Sequence, residues 1–321
     1  MAEKKTEQFY TRPPKLGTWE SFKIFLWNSE THQFLGRTGG SWGKIILFYL
    51  LFYAALIGFF AAMLTIFYQT LDDKKPKWQL DRSLIGSNPG LGFRPMPPES
   101  NVESTLIWYK ASDETSTQYW REQLNDFLKP YIKERSPDGA VSKCDQGIPP
   151  PAGNERVCEV QVTNWHPCTP SAGYNFNSSE GGPCIFLKLN KIFGWEPDYY
   201  SYSTIPELMP SDLKQHIKKK EDTYGRNSTN LKVVWVSCEG ENPGDIENIG
   251  PIHYHPDLGF DGRYFPFLNV DKYLSPLVVV YFERPTRGVL INIECKAWAK
   301  NIVHDRMDKR GSVHFELMID Y

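Results

Sequence analysis

A run of 23 uncharged, mostly apolar residues from 45 to 67 constrains this 321-residue chain more than any other feature. At ~1.5 Å of rise per residue, a helix of this length crosses a hydrocarbon core of ~30 Å. The run starts after 44 residues, and no small-residue cleavage site follows it. It therefore predicts a retained signal-anchor helix over 45–67, preceded by a tail over 1–44.

Cysteines and glycosylation sequons predict the orientation of this helix. Seven Lys or Arg precede the run, but Lys74, Lys75 and Lys77 follow it, so the positive-inside rule does not decide. Two N-glycosylation sequons, at Asn177 and Asn227, follow the run, as do all six cysteines. An even cysteine count on one side predicts three disulfides in an oxidising compartment. We therefore expect a type II membrane protein, with 1–44 cytoplasmic and the C-terminal part extracellular.

Six cysteines allow fifteen pairings, and local spacing favours the sequential one. The pairs Cys144–Cys158 and Cys168–Cys184 each close a loop of about 15 residues, which the chain-entropy model values at about 3 kcal/mol. This leaves Cys238–Cys295. Both residues lie on the apolar face of a strand-like run, which resembles a staple between two sheets.

The fold class expected after the helix is a β-sandwich over 101–321 with one inserted α-helix. Pro, Gly and charged residues over 68–100 indicate an irregular connector close to the membrane. In the helix, apolar side chains recur at Trp120, Leu124, Leu128 and Tyr131, and Ser116 or Thr117 is the expected N-cap. The strand-like runs are 106–110, 157–162, 185–189, 232–238, 277–282, 290–298 and 313–319.

No residue pattern predicts catalysis, a cofactor or a metal. The net charge of −2 excludes a generically basic nucleic-acid binder. Residues 39–43 match G-x-S-x-G, but the helix that follows is the membrane span, unlike a nucleophile elbow. His253 and His255 have no evident third ligand, and prolines on either side indicate a loop. A type II ectoenzyme is therefore disfavoured, because no Asp-x-Asp or other catalytic constellation appears.

The predicted membrane helix has two different faces. At 100° per residue, the aromatic side chains of Tyr49, Phe52 and Tyr53 group on one side, and small residues group on the opposite side. Small residues allow a second helix to approach closely, and hydroxyls inside hydrocarbon need partners. The pattern favours packing against another membrane helix over a generic lipid anchor. The small residues are Ala54, Gly58, Ala61, Ala62 and Thr65.

Several segments along nearly the whole chain resemble the β subunits of the Na,K-ATPase, the accessory chains of a P-type cation pump, of an invertebrate type. The matching segments are GRTGGSW at 36–42, the aromatic residues Tyr49, Phe52 and Tyr53, GPC at 182–184 with LKLN at 187–190, YFPF at 264–267 with YLSPL at 273–277, and IECKA at 293–297. Together these segments are specific, although each alone is not.

The resemblance implies an immunoglobulin-like ectodomain, sequential disulfides and no catalysis in this chain. It implies a one-to-one partner, the catalytic α subunit. This chain would support the folding and membrane insertion of α, its delivery to the plasma membrane and its handling of K⁺. Membrane lipid and a small single-span regulatory subunit are further implied partners, and nucleic acid is not. Two alternatives remain open: homophilic adhesion between cells, and a β subunit of the H,K type.

The resemblance also implies two contact regions with α. In the membrane, Tyr49, Phe52 and Tyr53 would contact its seventh helix. Outside the membrane, residues 264–267 would pack on the loop between its seventh and eighth helices. Phe265 and Phe267 carry no hydroxyl, so the implied contact there is apolar packing. The second region consists of Tyr264, Phe265, Pro266 and Phe267.

Overall fold

The computed structural model describes residues 17–98, 100, 104–132, 141–151, 156–178, 180–308 and 310–321. Its contacts divide the chain into two units, Met1–Asp72 and Asp73–Tyr321. We call the second unit the β domain. Residues 1–16 of the predicted cytoplasmic tail lie outside the described residues.

The first unit contains the predicted membrane helix. Within the described residues, Gly39–Gln69 is the one helix long and apolar enough to cross a membrane, and it begins six residues before the uncharged run. Its 31 residues correspond to roughly 46 Å at helical rise. The Trp42 indole N–H donates to the Phe34 carbonyl at 2.8 Å, which ties the first helical turn to the short strand that contains Phe34. The elements of this unit are α1 (Thr18–Leu26), β1 (Trp27–Asn28), β2 (Gln33–Phe34), β3 (Arg37–Thr38) and α2 (Gly39–Gln69).

The β domain contains two larger sheets. In order across each sheet, the first is β10-β12-β8-β4 and the second is β11-β9-β13-β14-β5. Neighbouring strands are antiparallel, except that β5 runs parallel to β14. The elements are β4 (Leu91–Arg94), β5 (Leu106–Lys110), α3 (Glu114–Ile132), β6 (Val141–Ser142), β7 (Val157–Cys158), β8 (Cys184–Leu189), α4 (Ser211–Tyr224), β9 (Val233–Gly240), α5 (Pro243–Asn248), β10 (Ile252–His255), β11 (Gly259–Asp261), β12 (Leu277–Phe282), β13 (Leu290–Trp298) and β14 (Ser312–Asp320).

Aromatic contacts join the inner faces of the two sheets. Phe315 on β14 lies 5.0 Å from Phe93 on β4 and 6.3 Å from Phe282 on β12, measured between ring centroids. Alternate residues of β13 and β14 point into this core, as their apolar alternation predicted. The predicted fold class, one membrane helix followed by a β-sandwich, is therefore confirmed.

One predicted strand is much shorter than expected. Of the run 157–162, only Val157–Cys158 forms a strand, paired in parallel with Val141–Ser142. Val160 and Val162 are still buried. The run is apolar because it packs on the core, and packing alone does not require a ladder of backbone hydrogen bonds.

The inserted helix α3 is present, but its N-cap differs from the prediction. The helix begins at Glu114, and the Asp113 carboxylate accepts a hydrogen bond from the Thr115 backbone N–H at 2.9 Å. The Ser116 hydroxyl instead accepts from the backbone N–H of Lys110. Asp113 is the cap because it is the last residue before helical geometry begins.

A second helix, α4, covers part of the outer face of the second sheet. Leu213 and Ile217 of α4 are buried and share a small apolar cluster with Trp235 and Trp298. This explains why residues on both faces of β9 are buried. A strand covered on both sides loses the polar alternation that marks an exposed sheet.

The expected irregular connector over 68–100 needs a partial correction. Leu91–Arg94 forms edge strand β4, which pairs with β8 and buries Leu91 and Phe93. Four residues flanked by Gly and Pro are too short for the pattern to distinguish a strand from a loop. The β domain therefore begins well before residue 101.

The structure pairs the six cysteines in sequential order, but the third disulfide is not a staple between sheets. Cys238 and Cys295 face each other in register on adjacent strands β9 and β13 of one sheet. Their Cα atoms are 4.0 Å apart, against 5.5 Å in each of the other two pairs. The alternation of apolar residues correctly places both cysteine side chains on an apolar face. The same alternation is expected whether the two strands are neighbours in one sheet or lie in opposite sheets, so it could not decide between them.

A buried carboxylate joins α5 to β13. Asp245 exposes 7% of its surface and accepts hydrogen bonds from the backbone N–H groups of Asn292 at 3.0 Å and Asn242 at 3.1 Å. Burial by itself raises the pKa of a carboxyl group, but the amide donors of Asn292 and Asn242 together outweigh it and lower the pKa of Asp245. The ionised form is therefore the one that stabilises this junction.

We expect Asp245→Ala to lower the free energy of unfolding by about 2 kcal/mol, because it leaves buried amide donors without an acceptor. A carboxyl group with a lowered folded-state pKa stabilises the fold at neutral pH, and this stabilisation is lost as pH falls through that pKa. The difference between wild type and variant should therefore shrink in acid. Thermal unfolding of the purified chain in mild detergent measures it, with exposed Asp222→Asn as control. A constant difference across pH would contradict this.

The three disulfides allow a second stability prediction. In the chain-entropy model, removing Cys238–Cys295, with 57 residues of separation, costs about 4 kcal/mol, and removing Cys144–Cys158, with 14, costs about 3 kcal/mol. We expect the double Cys→Ser variant at 238 and 295 to melt at a lower temperature, and to mature less well, than the double Cys→Ser variant at 144 and 158. Melting temperatures of the two double variants test this order, and equal or reversed values would refute it.

Candidate subunit interface

The aromatic face of α2 is exposed along its length. The rings of Tyr49 and Tyr53 stack with centroids 6.1 Å apart, and Phe52 meets Tyr53 edge-on at 5.5 Å. Each of these three side chains is about half exposed. Their mutual contacts hold the rings as a continuous surface, and none of the described residues of the first unit packs over it.

The opposite face of α2 carries small side chains. A methyl group added at Gly58 would meet no atom within 4 Å, so the helix backbone is accessible there. The Thr65 hydroxyl donates to the Ala61 carbonyl at 2.8 Å and so needs no partner from outside. Both faces thus have the form that membrane helices use when they pack on one another.

In the β domain, Tyr264 ends the single helical turn Gly262–Tyr264 and is anchored internally. Its hydroxyl donates to the Glu159 carbonyl at 3.0 Å, and the Arg263 guanidinium lies 5.7 Å from its ring centroid. Burial raises the pKa of Tyr264 to about 12. This hydroxyl is committed to the fold, so only part of the ring is available to a partner.

Phe265 points into the core. Only 8% of its surface is exposed, and its ring meets Trp195 edge-to-face at 5.6 Å. Phe265 therefore offers little surface to a partner, and it supports the backbone of its neighbours. That Tyr264, Pro266 and Phe267 contact a partner stays a prediction.

Phe267 is the side chain of this segment that adjoins exposed surface. It packs on Tyr273 at 4.9 Å and on Phe193 at 6.4 Å, and its carbonyl accepts from the Gly194 backbone N–H at 2.9 Å. Leu268, next in the chain, is 42% exposed. We call residues 264–273 the docking loop. Its shape is set by contacts at its base, while its tip faces outward.

The docking loop contacts the first residues of the β domain. Asn269 donates its side-chain amide to the Lys74 carbonyl at 3.1 Å. Lys74 stands five residues after the end of α2 in the sequence.

Both sequon asparagines are exposed. Asn177 accepts a hydrogen bond at its Oδ1 from the buried Thr117 hydroxyl at 2.8 Å. N-glycosylation uses the other amide atom, the nitrogen, so the contact with Thr117 is compatible with modification. Asn227 follows helix α4 in the turn before β9.

The two histidines weighed as metal ligands lie in a strand and not in a loop. His253 and His255 are on edge strand β10, and His253 contacts Glu283 at 2.8 Å through Nε2. Burial, together with neighbouring His253, lowers the pKa of His255. Within the part of the chain that the structure describes, no cluster of three potential metal ligands occurs.

Sequence reasoning missed residues that shape the docking loop. Lys191 lies 5.0 Å from the Phe267 ring centroid and 5.1 Å from that of Tyr273, and Trp195 supports Phe265. These side chains come from the segment after β8, about 75 residues earlier in the chain. No local signal in the sequence reveals such a long-range contact.

Comparison with known proteins identifies the family of this chain. A family model described as the sodium/potassium ATPase beta chain matches residues 12–315. The sodium/potassium-transporting ATPase subunit beta-2 of Drosophila melanogaster is 49% identical over 318 residues, which cover 98% of this chain and 96% of that protein. The beta-1 subunit of the same organism is 38% identical over 94% of this chain and 93% of its own length.

A human relative extends the comparison to vertebrates. The sodium/potassium-transporting ATPase subunit beta-2 of Homo sapiens is 32% identical, over 94% of each chain. One apolar helix and a mainly-β domain fit a single-pass protein of the plasma membrane. The chain belongs to the family of sodium/potassium ATPase β chains, the non-catalytic subunits of the pump.

Proposed function

We propose that this chain forms a one-to-one complex with a catalytic α subunit, in which ATP hydrolysis and ion transport reside. The observation that carries the proposal is similarity to named β subunits over 98% of the chain. In this complex the chain assists folding, membrane insertion and surface delivery of α, and modulates its handling of K⁺. Its contribution to the complex is to bind and support α.

The proposed orientation is type II, with the N-terminus cytoplasmic and the β domain extracellular. Three disulfides support it, because they form and persist in oxidising compartments. Asn177 and Asn227 support it further, since both are exposed and N-glycosylation takes place on the same side of the membrane as disulfide formation. We propose that both are modified.

Two tethered contacts explain how the complex holds together. In the membrane, the exposed ring surface of Tyr49, Phe52 and Tyr53 packs against a helix of α. Outside it, the docking loop packs against an extracellular segment of α. Because one chain carries both contacts, each raises the effective concentration of the other. The disulfides restrict the β domain, so little conformational entropy is lost on docking.

Purification of the tagged chain from its native membrane in mild detergent tests the proposal directly. We expect a stoichiometric P-type α subunit in the eluate, with ouabain-sensitive ATPase activity. A chain that elutes alone or as a homo-oligomer would overturn the proposal and favour homophilic adhesion as the function.

We expect the double variant Tyr49→Leu and Tyr53→Leu to retain α at least about tenfold less well, because it removes two aromatic rings and their hydroxyls from the proposed contact. Co-purification of α measures this. The matched control, Leu50→Ala with Ile57→Ala, removes apolar volume from another side of the same helix and should retain α normally. Equal recovery in the two double variants would count against the aromatic contact.

The docking loop is tested at its tip, where a change does not disturb the core. We expect Leu268→Asp, at a residue 42% exposed, to reduce recovery of α about tenfold, because docking would bury an unpaired carboxylate. Leu208→Asp, at a residue 90% exposed before α4, is the control and should have no effect. If both variants recover α equally, the loop is not part of the interface.

A further inference from the structure

Three cations gather beside the docking loop on the outer face of the first sheet. Arg94 is on edge strand β4, Lys188 is on β8, and Lys191 follows the end of β8. The Arg94 guanidinium lies 5.7 Å and the Lys188 ammonium 6.0 Å from the ring centroid of Phe127 on α3. We call Arg94, Lys188 and Lys191 the cationic patch.

The patch lacks a compensating negative charge within the described residues. No described carboxylate forms an ion pair with any of its three cations, and the Arg94 guanidinium donates at 2.7 Å to the carbonyl of neighbouring Phe93. Burial lowers the pKa of Lys188, and the charges of Arg94 and Lys191 lower it further. Burial also lowers the pKa of Lys191. Like charges held together repel one another, and a negative partner would relieve the repulsion.

Shared aromatic rings make the patch and the docking loop one surface. The Lys191 ammonium lies over both Phe267 and Tyr273, at 5.0 and 5.1 Å from their centroids. Whatever covers Phe267 therefore also comes within reach of Lys191. An interface there is apolar at the loop and positively charged beside it.

We propose that the segment of α that packs on the docking loop is acidic where it passes the cationic patch, and that its carboxylates pair with Lys191, Lys188 and Arg94. This inference rests on the proposed function of the docking loop. Arg94 and Lys188 are half-buried beside Phe127, so a partner must reach them with a side chain. A membrane surface carrying anionic headgroups contacts mainly exposed cations, so an acidic protein segment fits the geometry better. Pairs partly removed from water are also stronger than pairs on open surface.

A charge series at Lys191 in the full chain, co-expressed with α, tests the pairing. We expect Lys191→Arg to retain α normally, Lys191→Gln to weaken retention about tenfold, and Lys191→Glu to weaken it further. Retention is measured in mild detergent across a range of N-methylglucamine chloride concentrations. The wild-type complex should weaken as salt rises, and the Gln variant should depend less on salt, because one ion pair is missing. Lys219→Glu, on the exposed surface of α4, is the control and should behave as wild type.

A series in which Lys191→Glu retains α as well as wild type would overturn the inference. If Leu268→Asp loses α while Lys191→Glu keeps it, the proposed function stands and the acidic partner does not. If the wild-type chain recovers no α, both fail. A loss in Lys191→Glu that appears only when phosphatidylserine is added to the detergent would replace the acidic segment with a lipid headgroup. Trypsin resistance of the β domain shows that each variant has folded.

Discussion

The relative position of the two larger sheets of the β domain depends on their packing around Phe315. This residue is fully buried, and its ring contacts Phe93 and Phe282 from the opposite sheet. Protein interiors are close-packed, so a shift of one sheet against the other would open voids around these rings. Within the first sheet, backbone pairing holds edge strand β4, and with it Arg94, in register with β8 and Lys188.

The disulfides extend this rigidity to the parts that sheet packing controls least. Cys144–Cys158 closes a loop outside the two larger sheets, and Cys168–Cys184 ties a loop to the start of β8. Cys238–Cys295 ties two central strands of one sheet together. A rigid domain pays little conformational entropy when it binds. This suits a subunit whose proposed task is to hold a partner at two sites joined by one short connection.

Aromatic residues have opposite uses in the two units. In α2, the rings of Tyr49, Phe52 and Tyr53 are exposed and contact mainly one another. In the docking loop, Phe265 and Tyr264 turn inward and fix the backbone, and Phe267 is left beside the surface. The same residue type thus serves as a contact surface in one unit and chiefly as internal support in the other. The Lys191 ammonium lies over the rings of Phe267 and Tyr273, so it places a positive charge beside the docking loop.

The length of the apolar run determined the membrane helix, and apolar runs and repeats within single segments determined six of the seven predicted strands and the position of α3. The family was also recognisable from short segments. Only the tertiary structure decided that Cys238 and Cys295 lie in one sheet, that Leu91–Arg94 is a strand, that α4 covers Trp235, and that Phe265 is buried. It alone brought Arg94, Lys188 and Lys191 together. These features depend on which distant segments meet, and a pattern read along one segment carries no information about its neighbours in space.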